Sequence, residues 1–298
     1  MSLEASVNFT IRFDQPLKVW VLQLGGWLPI QFTGVGVVLI DRNVTSALSK
    51  LTAWPARTDM QVEKWWLNQL NSERYLLNTV LCASEGRTGQ TPSFDEFCGG
   101  IAEANEILAR GLPKARTIQH DPLDFERLYE NVIATSARHE READFLITVA
   151  PLIASRVSSA NTEQIECAII DAAELFQLSL HSFIVLAALS CLYEPQSGDE
   201  PRIGWGVIKP KQLHTRPMAY NALADIRSLE FLAAASGLSG PSAGFCTRDK
   251  YLAAFWTCLG VSAPTWDGNK FSAAINPNPK LFPRLNTNAV EALFARLL

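Results

Sequence analysis

The chain is short of the residues that several common chemistries need. Its four histidines, His120, His139, His181 and His214, are scattered, and no second histidine follows His139 at the spacing of a zinc-binding helix. The six cysteines (Cys82, Cys98, Cys167, Cys191, Cys246, Cys258) form neither a Cys-x-x-Cys pair nor a cysteine and histidine cluster with zinc spacing. They read as reduced, mostly buried thiols. Charge is sparse at 19% of residues, and 26 Lys+Arg against 30 Asp+Glu leave a net charge of −4. That excludes a protein coated in basic charge and leaves only a local patch as a nucleic-acid footprint. Glycine near a strand is present in Thr33-Gly34-Val35-Gly36, but it lies inside or before the strand instead of opening a helix, so it lacks the context of a dinucleotide-binding loop and nucleotide cofactors are not favoured. The 22 uncharged residues 19–40 are broken by Pro29, Gln23, Gln31 and four glycines, and residues 182–193 are too few to span a bilayer. The expectation is a cytoplasmic protein with no membrane segment.

With 298 residues, 48% of them hydrophobic, there is ample material for a folded core. Residues 18–24 and 35–40 read as strands, the second a continuous apolar run of the kind a parallel sheet buries on both faces. Helices are expected over 44–52, 60–82, 94–111 and most of 122–193, then over 218–236 and 250–259, with a strand at 243–247. Residues 262–298 read as a loop-rich tail ending in a short amphipathic helix. Strands separated by long helical stretches indicate an α/β architecture with a mainly parallel sheet, whose functional groups collect beyond the carboxyl ends of the strands.

Two strands end in an acid there. VGVVLI runs into Asp41, and AGFCT runs through Thr247 and Arg248 into Asp249. Asp225 lies in the helical string YNALADIRSLEFL, and Glu85 follows LLNTVLCAS. Taken singly, Asp41 and Asp249 suit helix N-caps, Asp225 a solvated helix face and Glu85 a turn. Gathered at one rim, four carboxylates cannot all stay ionised unpaired, and a hard divalent cation, Mg²⁺ or Mn²⁺, resolves the repulsion. Residues 201–220 add Arg202, Lys209, Lys211 and Arg216 without an acid, flanked by Trp205 and Tyr220. Such a segment is either a solvated loop or a contact for single-stranded nucleic acid, here through Lys209, Lys211, Arg216 and Trp205.

Read together, IDRN at 40–43, SEG at 84–86, the helix at 220–232 and FCTRDKYLAAFW at 245–256 resemble the PIN-like nuclease superfamily. The resemblance covers residues 35–90 and 218–260. It implies a three-layer α/β/α sandwich around a mainly parallel sheet, and metal-dependent hydrolysis of RNA phosphodiester bonds, as an endoribonuclease. Asp41, Asp225 and Asp249 would bind the Mg²⁺ or Mn²⁺, Glu85 would complete the catalytic set, and Asn43 and Thr247 would support it. Glu85 and Asp225 are 225 − 85 = 140 residues apart, far more than compact members have. This implies a core of 1–93 plus 201–261, a helical insertion of 94–200, and a tail of 262–298 packed on the core. Glu96, Glu166, Asp171 and Glu174 on the insertion compete with Glu85 for the second acid. The implied role is a toxin or defence effector acting on RNA, with an inhibitory protein partner and a homo-oligomer both allowed. The alternatives are an inactive PIN-like scaffold for protein or RNA binding and, third, a nucleotide-binding α/β protein.

Overall fold

The computed structural model describes residues 13–14, 16–54, 58–85, 90–195, 200–239, 242–268 and 270–297. The uncharged stretch near the amino terminus folds as three strands, β1 (Trp20–Gln23), β2 (Gly26–Leu28) and β3 (Val37–Ile40). Gly25 and Gly26, with φ of 86° and 140°, make the turn that reverses β1 into β2. Among the described residues no helix is long and apolar enough to cross a membrane.

After β3 come α1 (Arg42–Ala53), α2 (Gln61–Asn68), β4 (Leu76–Asn78), α3 (Val80–Ser84), α4 (Phe94–Gly111) and β5 (Arg116–Thr117). Four helices follow, α5 (Pro122–Ala134), α6 (Ser136–Val149), α7 (Thr162–Leu175) and α8 (Phe183–Leu192). The chain then runs through α9 (Ile203–Ile208), α10 (Arg216–Ser239), β6 (Ala243–Thr247), α11 (Lys250–Leu259), the hairpin β7 (Val261–Asp267) and β8 (Lys270–Ile275), and α12 (Thr287–Leu297). The main sheet has the order β2-β1-β6-β3-β4-β5, with β6, β3, β4 and β5 parallel and β1 antiparallel to both β2 and β6. The architecture is mixed α/β, with a mostly parallel sheet and many helices.

Pleating divides the central strands between two cores. Val38, Ile40, Val21 and Cys246 pack with α1 and α2 residues such as Val44, Leu48 and Trp66. Leu39, Phe245 and Leu22 join a larger cluster running through α6, α8, α10 and α11. Every residue of α8 is buried, as expected of a helix apolar on all sides.

Three expected boundaries change. The helix expected over 60–82 is interrupted by β4, because Leu77 is wholly buried in the sheet beside Val38. Within the stretch expected as a helical insertion, α4 leads into β5, which pairs with β4 in the main sheet. Among the described residues the stretch between β5 and β6 holds no strand, and its helices share one continuous core with β3 and β6. The tail holds the β7–β8 hairpin where loop was expected, and Leu281 and Phe282 bury themselves in the main core.

Candidate functional site

The register of the sheet builds the site. Ile40 on β3 pairs with Cys246 on β6, so the next residues, Asp41 and Thr247, stand side by side at the strand ends, Thr247 still pairing with Trp20 on β1. Each strand then turns directly into a helix. Asp41 caps α1, its Oδ1 accepting from the Asn43 backbone N–H at 3.0 Å. Asp249 caps α11, its Oδ1 accepting from Tyr251 N at 2.8 Å and Leu252 N at 3.1 Å. The capping role and the rim position therefore coincide in the same side chains.

Thr247 joins the two strand ends. Its hydroxyl donates to Asp41 Oδ2 and accepts from Asn43 Nδ2 at 3.1 Å and from Asp249 N at 3.0 Å, which uses its one donor and both acceptor positions. Asn43 Nδ2 also reaches Asp41 Oδ2 at 2.6 Å, and Asn43 Oδ1 accepts from Arg248 N at 3.0 Å. Asn43 thus orients the carboxylate and is itself held from both sides.

Burial pushes Asp41 up to about 6, against the lowering effect of its bonds from Thr247 and Asn43, with Asp249 adding repulsion. Glu85, half-buried just after α3, is pushed up to about 8 by burial and then by Asp41, with Arg42 opposing. Asp225 on α10 is raised well above the usual carboxylate range, first by burial and then by the fields of Asp41, Asp249 and Glu85, with Lys209 opposing. Four acids from four different elements therefore act on one another at one end of the sheet. Among the described residues no hydrogen bond reaches the carboxylates of Asp225 or Glu85. The donor set is hard oxygen throughout, the type that Mg²⁺ and Mn²⁺ take, although among the described residues no three His, Cys, Asp or Glu side chains stand grouped to hold an ion as they are placed.

The competing acids are used elsewhere. Glu96 closes the capping box of α4 with Ser93, and Glu166 is buried against the Tyr193 hydroxyl and Arg296. Asp171 and Glu174 are exposed on α7. Gly86, expected beside Glu85, lies outside the described residues.

The basic segment does not form one face. Lys209 reaches into the rim, with Nζ 3.7 Å from Asp249 Oδ2. Lys211 is exposed, whereas Arg216 is bound to Glu140 and Asp144 on α6. Trp205 is half-buried against the core beneath the Arg202 guanidinium, 4.4 Å from the ring centroid, and Tyr220 is buried and donates to Glu140. The exposed stacking pair expected from Trp205 and Tyr220 is corrected accordingly, because both rings are needed to seat α9 and α10. Trp66 is core, but Trp65 is 43% exposed.

Sequence reasoning missed three features. Arg42 enters the field of Glu85. A cavity of about 670 Å³ opens beside the rim between α1 and α4, lined by Arg42, Ser46, Lys50, Cys82, Glu96 and Glu103 among others. The string Gly240-Pro241-Ser242-Ala243-Gly244 has the spacing of a serine-hydrolase elbow, yet Ser242 enters β6, whereas an elbow serine leaves a strand for a helix. Compared with protein-family models, curated proteins and solved structures, the chain matches none of them.

Proposed function

We propose that the protein is a PIN-like, metal-dependent endoribonuclease, its sheet and flanking helices forming a three-layer sandwich. The observation that carries this reading is the convergence of Asp41, Glu85, Asp225 and Asp249 on the carboxyl ends of parallel β3 and β6, close enough for their charges to act on Asp225. Four buried or half-buried acids outnumber the Lys209 and Arg42 charges that oppose them, and the excess is relieved either by protons, which Glu85 and Asp225 hold unusually tightly, or by a cation that displaces those protons. Asp41, Asp225 and Asp249 would hold Mg²⁺ or Mn²⁺, and the ion would supply Lewis acidity toward a phosphoryl oxygen. Asn43 and Thr247 fix the direction of Asp41, and the caps of α1 and α11 fix the backbone of the first and last acids. In the hydrolysis, a water oxygen forms the new bond to phosphorus and the bond to the leaving ribose oxygen breaks. One proton passes from the water to a carboxylate or solvent, and another is returned to the leaving oxygen.

A second reading, an inactive scaffold of the same class that binds protein or RNA, is favoured by one observation: the acids are not drawn around a single point. One experiment separates the two. Labelled single-stranded RNA and DNA are incubated with the purified chain and Mn²⁺, Mg²⁺ or EDTA, beside the Asp41→Asn, Asp249→Asn double variant. Metal-dependent RNA cleavage that the variant lacks establishes the nuclease. No cleavage and no metal-induced thermal shift removes the nuclease reading and leaves the scaffold.

A further inference from the structure

We propose that Lys209 is the phosphate-contacting residue of this site, resting on Asp249 in the free protein and passing to a non-bridging oxygen of the scissile phosphodiester when RNA binds. The inference rests on the nuclease reading and adds to it a residue that acts on substrate.

The placement of Lys209 is built into the packing. It follows α9, a six-residue helix wedged against its neighbours by two glycines. A Cβ on Gly204 would stand 2.5 Å from the Ala187 carbonyl oxygen on α8, and one on Gly206 would stand 2.1 Å from the Tyr251 ring on α11. Tyr251 is two residues from Asp249, so the same contact that seats α9 sets the separation of Lys209 from the acid. The helix ends at Lys209 itself, whose φ of 52° and ψ of 53° are left-handed, and whose N–H donates to Trp205 O at 2.8 Å. Glycine is the ordinary occupant of such a position, since it takes this conformation without a steric cost. Lysine brings nothing to the backbone there; what it adds is an ammonium directed at the acids.

The ammonium is held loosely enough to move. The Lys209 side chain is 58% exposed, and its pairing with Asp249 is long at 3.7 Å. Its field also bears on Asp225. Neighbouring guanidinium groups are engaged elsewhere: Arg202 with Glu194, Arg216 with Glu140 and Asp144, and Arg248 with Glu63. A flexible point charge suits a phosphate that must be met from one side and released after cleavage.

Lys209 and a divalent cation would share Asp249, which gives the test two readouts of opposite sign. In the full-length chain, Lys209→Met should lower kcat for RNA cleavage roughly 100-fold, as loss of a donor to developing charge does. The same variant should bind Mn²⁺ about fivefold more tightly by calorimetry, because one positive charge has left the rim. Lys209→Gly, which suits the left-handed backbone, should reproduce both effects without lowering the melting temperature, and Lys209→Arg should recover part of kcat. Cleavage by Lys209→Met and Lys209→Gly at the wild-type kcat overturns the proposal and leaves the nuclease standing. A fall in both kcat and Mn²⁺ affinity also overturns it, since a strut that merely shapes the rim would do that. If the wild-type chain cleaves no RNA, the nuclease reading fails and the role of Lys209 falls with it.

Discussion

The Thr247 hydroxyl donates to the Asp41 carboxylate across the boundary between two parallel strands, and in doing so closes a ring of hydrogen bonds through Asn43, while the Asp249 N–H donates to the same hydroxyl. Neither residue can be altered without consequence for the other. Thr247→Val keeps the shape but leaves Asp41 Oδ2, Asn43 Nδ2 and Asp249 N each short of a partner. A cost of about 2–3 kcal/mol is expected in urea denaturation, against less than about 1 kcal/mol for Thr247→Ser. Losing that donor should also raise the Asp41 pKa further, because the Thr247 bond lowers it. An acidic limb of the pH–rate profile that does not move in Thr247→Val would remove Asp41 from the titrating set.

The two capping acids should respond differently to amidation. Asp249 accepts both of its backbone bonds through Oδ1, so Asp249→Asn can keep them, and its stability should lie within about 1 kcal/mol of wild type. Asp41 receives donors on both oxygens, from Asn43 N on one side and from Thr247 and Asn43 Nδ2 on the other. An amide nitrogen there must face a donor, and Asn43 cannot flip without breaking its bond to Arg248 N. Asp41→Asn should therefore cost about 1–3 kcal/mol. Thermal denaturation of the two single variants checks the order, and an Asp249→Asn that unfolds more readily than Asp41→Asn would contradict it.

Stability should fall as pH rises through neutrality. Glu85 titrates in the folded state near 8, above its ordinary 4.5, so the folded chain holds a proton that the unfolded chain has already lost. The stabilisation of that proton is fully present below the unfolded value and is lost as pH rises through about 8. His139, buried among arginines and pushed down to about 2, acts the opposite way but only below its ordinary 6.5. The window from about pH 6.5 to about 8.5 is therefore free of it. Glu142, pushed up to about 7 chiefly by burial, also titrates there. Urea denaturation across this window should show a downward slope that Glu85→Gln reduces and does not abolish. An unchanged slope would mean that Glu85 is not held protonated.

The salt dependence of RNA binding should separate the basic residues. Each cation that ceases to touch a phosphate of a single strand lowers the slope of log K against log salt by about 0.7. Lys209→Ala and Lys211→Ala should each reduce it, whereas Arg216→Ala should leave it unchanged, because that guanidinium is already bound to Glu140 and Asp144. A filter-binding series at several salt concentrations reads this directly.

Much of the rim was legible in the sequence because its acids follow directly from local structure. An apolar run ending in Asp and then a helix describes both β3–α1 and β6–α11, and the helices at 94–111 and 250–259 and the strand at 243–247 appear with the bounds expected. β4 was hidden because Leu76 and Leu77 continue the apolar pattern of the helices on either side, and three residues are too few to show a period of two. The hairpin β7–β8 was hidden because its residues are largely exposed and the side that meets the core, Phe271, Ala273 and Ile275 on β8, is only partly buried. Lys209 looked like part of a basic surface stretch, since nothing in the local sequence announces that Gly204 and Gly206 dock α9 against α8 and α11.

The 24-residue helix α10 meets different partners on opposite sides. Asp225 faces the acids, and Arg227, some 200° further around, lies in the fields of Glu142 and Glu230 beside His139. Glu230 and Tyr220 are bonded to Arg138 and Glu140 on α6, so α10 is held to α6 at two points ten residues apart. Asp225 therefore sits on a helix whose orientation is fixed by contacts with α6 as well as by the sheet, so the side chains that aim this acid include Arg138 and Glu140, which belong to neither strand end.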